Sequence, residues 1–143
     1  MNELSNIMEP EVTYERVDDK GIYYFINLVR KGINYSYFTN IANKSPFSLN
    51  EWSSFLHLSE RTMQRYKKEE ATFDVIHSER IIHLTLLFKY GIEVFGTKEK
   101  FKSWLETDIL ALGNIKPNQL LDNSFGIDLV KDELGRIEHG ILA

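Results

Sequence analysis

The stretch from Ser78 to Phe95 constrains this chain more than any other. Ile81, Ile82, Leu84, Leu86, Leu87, Phe88, Ile92, Val94 and Phe95 recur too densely to share one face of a helix. A helix that is apolar on several sides must be buried centrally or paired with a second copy. Gly96 ends the run, and Thr97 caps a following helix with Glu99 in its first turn.

Upstream, residues 1–20 are polar and acidic, with Pro10 and little periodicity. They read as an arm, with a short element around Val12 to Val17. They hold no apolar core region, so they do not read as a signal peptide. From Gly21 the pattern turns aromatic: Tyr23, Tyr24, Phe25, Ile26, Leu28 and Val29 precede Lys31-Gly32. This suits a helix ended by Gly32, although the same aromatics fit a buried strand and periodicity does not separate the two. Tyr35, Tyr37, Phe38 and Ile41 continue into a second short helix that stops near Lys44-Ser45-Pro46.

Ser48-Leu49-Asn50-Glu51 has the form of a capping box. Leu49, Trp52, Phe55 and Leu56 then fall at helical spacing on one face. After His57-Leu58, Ser59 caps a second helix starting at Glu60. Two short helices joined by so short a turn form a helix-turn-helix. The turn position that often holds glycine is His57, a residue type that tolerates positive φ. Met63 and Tyr66, with Leu58, make an inward stripe to pack on Trp52 and Phe55. Arg61, Thr62, Gln64, Arg65, Lys67 and Lys68 point outward.

Between Arg61 and Lys68 there are four bases and no acid, in a chain whose net charge is −4. That local reversal suits a helix facing phosphates, where each neutralised phosphate releases counterions. Arg and Gln also make paired hydrogen bonds to guanine and adenine edges, and a helix start at Ser59 offers free N–H groups to a phosphate. The candidate DNA-binding set is therefore Ser59, Arg61, Thr62, Gln64, Arg65, Lys67 and Lys68. The plain alternative is a solvated basic face on an ordinary helical hairpin.

The last third, Thr97 to Ala143, is short for a domain by itself. Phe101, Trp104 and Leu105 form one face and read as core. Gly113 breaks the chain, and Pro117 suits the first turn of a short helix through Leu121. Asp122 or Asn123 caps a last helix with Ile127, Val130 and Leu134 inside, which Gly135 is expected to bend. The chain then ends on the apolar Ile141-Leu142-Ala143. An apolar end needs cover from its own core or from another protein.

The ordered series Phe95-Gly96, Phe101, Trp104-Leu105, Ala111-Leu112-Gly113, Pro117, Leu120-Leu121-Asp122, Gly126, Val130, Leu134 and Arg136-Ile137-Glu138-His139-Gly140 resembles the toxin-binding domain of Xre/MbcA/ParS-type antitoxins. Upstream, Leu58-Ser59, Arg61-Thr62 and Arg65-Tyr66 resemble their helix-turn-helix, and Ser78-Glu79-Arg80 resembles the start of their central helix. The likeness runs from Phe47 to Ala143. Asp108-Ile109 stands where the family often has Pro-Asn, and the first forty residues show no match.

The resemblance implies a cytoplasmic bacterial antitoxin, usually a homodimer, that binds operator DNA and represses its own operon. It also implies neutralisation of a RES-domain toxin that consumes or transfers from NAD, with the antitoxin's C-terminal segment over the active-site cleft. Arg136, Glu138, His139, Gly140, Ile141, Leu142 and Ala143 are the candidate toxin-binding residues on that ground. The expected architecture is all-α. An arm and helical extension (1–44) precede a helix-turn-helix with its central helix (45–96) and a toxin-binding domain (97–143).

Other classes fare worse. No apolar run approaches the roughly 20 residues of a bilayer span. The absence of cysteine removes thiolate metal sites and cysteine nucleophiles. His57, His77, His83 and His139 lack i, i+4 pairing, and there is no Gly-rich phosphate loop. No enzyme, metal or cofactor is expected. The rival reading is a stand-alone helix-turn-helix regulator without a toxin.

Overall fold

The computed structural model describes residues 19–140. The element expected around Val12 to Val17 and the terminal Ile141, Leu142 and Ala143 lie outside the described residues. Every main element described is helical: α1 (Asp19–Lys31), α2 (Tyr35–Lys44), α3 (Leu49–Leu56), α4 (Glu60–Glu69), α5 (Val75–Phe95), α6 (Lys98–Leu105) and α7 (Ser124–Glu138), with 3₁₀ turns at Leu110–Leu112 and Pro117–Leu120. The all-α expectation holds, and the aromatic stretch after Gly21 is a helix.

Of the two ways to cover its apolar sides, α5 takes central burial. It packs against α1, α3, α6 and α7. Ile81, Leu84 and Leu87 are sealed completely, and Ile82, Leu86, Phe88 and Tyr90 nearly so. Its start is earlier than Ser78: Asp74 accepts the amide of His77 and opens the helix at Val75. Ser78, expected near the helix start, is instead buried inside the first turns. Its hydroxyl donates to the Phe73 carbonyl and accepts the amide of Ile33 at 2.9 Å.

That serine is one part of a brace between two loops. Tyr35 N–H donates to Ala71 O and Phe73 N–H to Ile33 O, forming an antiparallel bridge at Asn34 and Thr72. Gly32, at φ +90°, lies so close to the brace that a Cβ there would sit 2.7 Å from the Phe73 carbonyl oxygen. Glycine therefore does more here than end α1.

Around Trp52 the core is aromatic, with Phe38, Phe47 and Phe55 stacked edge-on or tilted about it. The indole N–H donates to Ser45 Oγ at 3.0 Å, which satisfies a donor that would be costly to bury alone. Leu49, expected on this buried face, is 43% exposed. It is the first residue of α3 and precedes the turn that meets the core.

Beyond α6, Ile109 and Ile115 pair across a tight loop whose Gly113 and Asn114 both take positive φ. Pro117 begins a 3₁₀ turn that stops at Leu120, one residue short of the expected helix. Asn123 then caps α7 by accepting the amide of Gly126. Gly135 does not interrupt α7. The helix runs through it to Glu138, and the left-handed residue is Gly140 at φ +69°. Buried side chains join both halves into one apolar cluster, from Phe25 and Ile33 to Val130 and Leu134.

Candidate functional site

The helix-turn-helix geometry is built from caps. Ser48 accepts the amide of Glu51 while Glu51 accepts that of Ser48, so both ends of the capping box are made. His57 closes α3 in the left-handed conformation at φ 56°, the positive φ that histidine tolerates at such a turn. Leu58 N–H returns to Ser53 O, and the Ser53 hydroxyl donates to the Leu58 carbonyl. Ser59 accepts the amide of Thr62 and also donates to its hydroxyl, which starts α4.

Successive residues of a helix turn by roughly 100°. Arg61, Gln64, Arg65 and Lys68 therefore share one side of α4, and all four are exposed. Met63, fully buried, and Tyr66, its ring tilted against Phe73 with centroids 5.2 Å apart, hold the opposite side down. The other three members of the expected set sit differently. Ser59 and Thr62 are occupied with each other at the cap, and Thr62 is half-buried. Lys67 lies to the side, lining a shallow hollow with Tyr35, Phe38 and Thr39. The Arg65 guanidinium lies 5.5 Å from the centre of the Tyr66 ring.

At the other end of the molecule, α7 turns Ile127, Val130 and Leu134 into the core as expected. Arg136 is exposed and pairs with Glu133 at 2.9 Å, where Glu133 is itself almost buried. Glu138 accepts a hydrogen bond from the Tyr90 hydroxyl at 2.8 Å and so ties the end of α7 to α5. His139 Nε2 stands 3.6 Å from the same carboxylate. Arg136 and Glu138 thus have intramolecular partners, whereas Gly140 is exposed at the helix end.

The two regions touch. His57 Nε2 lies 2.6 Å from the Asp122 carbonyl oxygen, and Asn118 Nδ2 donates to Glu51 at 3.1 Å. The turn of the helix-turn-helix and its capping carboxylate are therefore clasped to the segment leading into α7.

Family models match both regions. Residues 25–85 match an antitoxin Xre-like helix-turn-helix domain, and residues 91–140 match the Xre/MbcA/ParS C-terminal toxin-binding domain. The chain belongs to the Xre/MbcA/ParS antitoxin family.

Antitoxin Xre of Photorhabdus laumondii subsp. laumondii is 26% identical over 117 residues, which is 81% of this chain and 79% of that protein. Antitoxin Xre of Yersinia enterocolitica is 32% identical over 84 residues, 58% of this chain and 57% of that one. A chain in the crystal structure of the M. tuberculosis MbcT–MbcA toxin–antitoxin complex has the same fold. It superimposes at a TM-score of 0.59 with 14% identity, over 76% of this chain and 96% of its own.

The match to the helix-turn-helix model begins at residue 25, upstream of Phe47, where the resemblance in the sequence starts. This antitoxin's α1 and α2 explain why: the loop brace and the ring cluster of Phe38, Trp52 and Phe73 build them into the same core. Among the described residues no three His, Cys, Asp or Glu side chains are grouped to hold a metal. No helix among them is long and apolar enough to cross a membrane.

One feature of the antitoxin lay outside the sequence reading. Phe125 is 85% exposed and Leu129, one turn later, 52%. Their spacing was the available signal, a second apolar stripe on a helix whose core stripe is already complete with Ile127, Val130 and Leu134.

Proposed function

We propose that this antitoxin neutralises a RES-domain, NAD-consuming toxin by covering its active site, and that α4 binds operator DNA to repress the operon. The match of residues 91–140 to a toxin-binding domain carries this reading. The placement of Arg61, Gln64, Arg65 and Lys68 on one exposed face supports the DNA contact, because guanidinium, amide and ammonium groups suit both phosphates and base edges. Ser59, Thr62 and Lys67 fit supporting positions at the rim of that contact. A homodimer in the bacterial cytoplasm fits a helix-turn-helix protein reading a two-fold operator.

On the toxin side, we divide the candidates by what holds them. Arg136 and Glu138 set the direction in which the chain leaves α7, through Glu133 and Tyr90. His139 and Gly140, with Ile141, Leu142 and Ala143 beyond, form the segment that enters the cleft. The domain limits follow the same division of work: an arm and extension at 1–44, the DNA module at 45–96 and the toxin module at 97–143.

Co-expression with the protein of the adjacent reading frame tests this. Full-length chain is expected to co-purify with that protein and block its NAD consumption. Chain ending at Gly140 is expected to lose the block. Equal inhibition by both would place the inhibitory contact elsewhere in the domain, and absence of any complex would favour a regulator acting without a toxin.

A further inference from the structure

The unpartnered face of α7 carries a second message. Relative to Phe125, Leu129 lies about 40° round the helix, Asp132 about 20° the other way and Arg136 about 20° beyond a full turn. All four are exposed and form a single longitudinal stripe. The 3₁₀ turn Leu110–Leu112 packs against α7 and adds Leu110, which is 84% exposed, while its neighbour Leu112 is turned into the core. Phe125, Leu129 and Leu110 are outside the apolar core. Phe125 is the second residue of a helix whose cap, Asn123, and whose inner face are complete without it.

Single exposed apolar residues are ordinary, but an aromatic and an aliphatic residue one turn apart, in line with an arginine, have the make-up of an interface anchor. Apolar anchors at i and i+4 are also how a helix seats in a groove of another protein.

We propose that Phe125 and Leu129, with Leu110 beside them, form the seat that gives this antitoxin its affinity for the toxin. The segment after Arg136 then acts as the blocker and adds little to binding. The inference rests on the toxin-binding reading and deepens it by separating where the partner is held from where it is inhibited.

Two observations choose the toxin over a second copy. The stripe lies wholly inside residues 91–140, the toxin-binding match, and runs on into the helix end from which the blocking segment leaves. The stripe is acidic, with Asp132 in it and Asp128 along one edge both exposed, while the Arg136 guanidinium is engaged by Glu133. A second copy seated two-fold on the middle of the stripe, with its axis level with Val130, would set Asp128 of each chain against Asp132 of the other, at a cost to association. The fitting partner surface is an apolar groove with a basic rim.

The test uses the full chain and the purified protein of the adjacent reading frame, with affinity read by calorimetry and inhibition by NAD consumption. Phe125→Ser with Leu129→Ser is expected to weaken binding by about 30-fold or more, the scale of truncating one interface hot spot. Helical content should not change, because both side chains are exposed. Phe125→Leu with Leu129→Met should restore most of the affinity, and Tyr23→Ser, an equally exposed site at the far end, should leave it intact.

Chain ending at Gly140 should bind within about tenfold of the parent yet fail to inhibit. Parent-like binding by the double serine variant would overturn the seat while leaving the toxin reading in place. A fall in the chain's own mass by sedimentation in that variant would also overturn it, since the stripe would then be a self-association surface. Failure of the parent itself to bind would overturn both.

Discussion

Gly91, Gly126 and Gly135 all lie inside helices, yet an added methyl group meets something different at each. At Gly126 a Cβ would lie 1.6 Å from the Leu120 carbonyl oxygen, where the start of α7 crosses the preceding 3₁₀ turn. Backbone cannot step aside, so Gly126→Ala must lift α7 and is expected to cost about 4 kcal/mol or more. At Gly91 the obstacle is the Phe101 ring, 2.2 Å away. That ring is stacked between Phe95 and Trp104 and has little room to turn. Gly91→Ala is expected to cost about 1–3 kcal/mol by overpacking. At Gly135 the nearest atom is the Tyr90 hydroxyl at 3.7 Å, an ordinary contact, and the backbone is helical. Gly135→Ala should instead gain about 0.5–1 kcal/mol from helix propensity and a less flexible unfolded chain. Urea unfolding of the three variants gives the order, and a destabilising Gly135→Ala would contradict it.

Among the elements, α4 is the one whose charge and whose caps can be tested apart. Ser59→Ala removes the acceptor for the Thr62 amide and is expected to cost about 1 kcal/mol of stability. Arg61→Ala and Arg65→Ala both remove exposed side chains, the second also giving up the contact of its guanidinium with the Tyr66 ring. Each is expected to weaken operator binding by about 1–3 kcal/mol where it meets a base edge. Where it meets a phosphate, it should shallow the plot of log affinity against log salt by about 0.9. Titrations at several salt concentrations distinguish the two, and unchanged affinity and slope in both variants would remove α4 from the DNA.

The same element shows what could be read in advance. Its start, its basic face and the left-handed His57 follow from local chemistry: a capping hydroxyl, a run of one sign, a short loop. Features that depend on distant neighbours were not legible. Leu49 obeys the helical period but sits one turn above the core. Val75 and Ile76 begin α5 although they are 51% and 75% exposed, because Asp74 rather than burial starts that helix. Gly135 reads as a bend, yet α7 stays helical through it, with the Tyr90 hydroxyl holding Glu138 one turn later. The seat at Phe125 and Leu129 stayed hidden because apolar residues on a helix are read first as core.

At the scale of the whole molecule, the question is whether the DNA module and the toxin module are separable bodies. The packing says that they are not. α5 is packed by α1 and α3 from one half of the chain and by α6 and α7 from the other, and its buried residues run from Ser78 to Gly91, so neither half buries that helix alone. The clasp of His57 to Asp122 and of Asn118 to Glu51 adds polar contacts across the same boundary. Cooperative unfolding should therefore include both halves. The chain supplies its own reporters, since it has two tryptophans, the fully buried Trp52 beside α2 and the half-buried Trp104 on α6. Trp104→Phe leaves fluorescence from the first half only. Trp52→Phe leaves it from the second, with the loss of the indole hydrogen bond to Ser45 Oγ. In each variant the fluorescence midpoint in urea should coincide with the midpoint of helical circular dichroism in that same variant. A chain beginning at Thr97 should show little helix, because Phe101, Leu105, Val130 and Leu134 would lose the surface of α5 they are buried against. Two separated transitions, or a folded fragment from Thr97 onward, would mean that the modules stand independently. Toxin seated on α7 could then be felt at α4 only through the clasp.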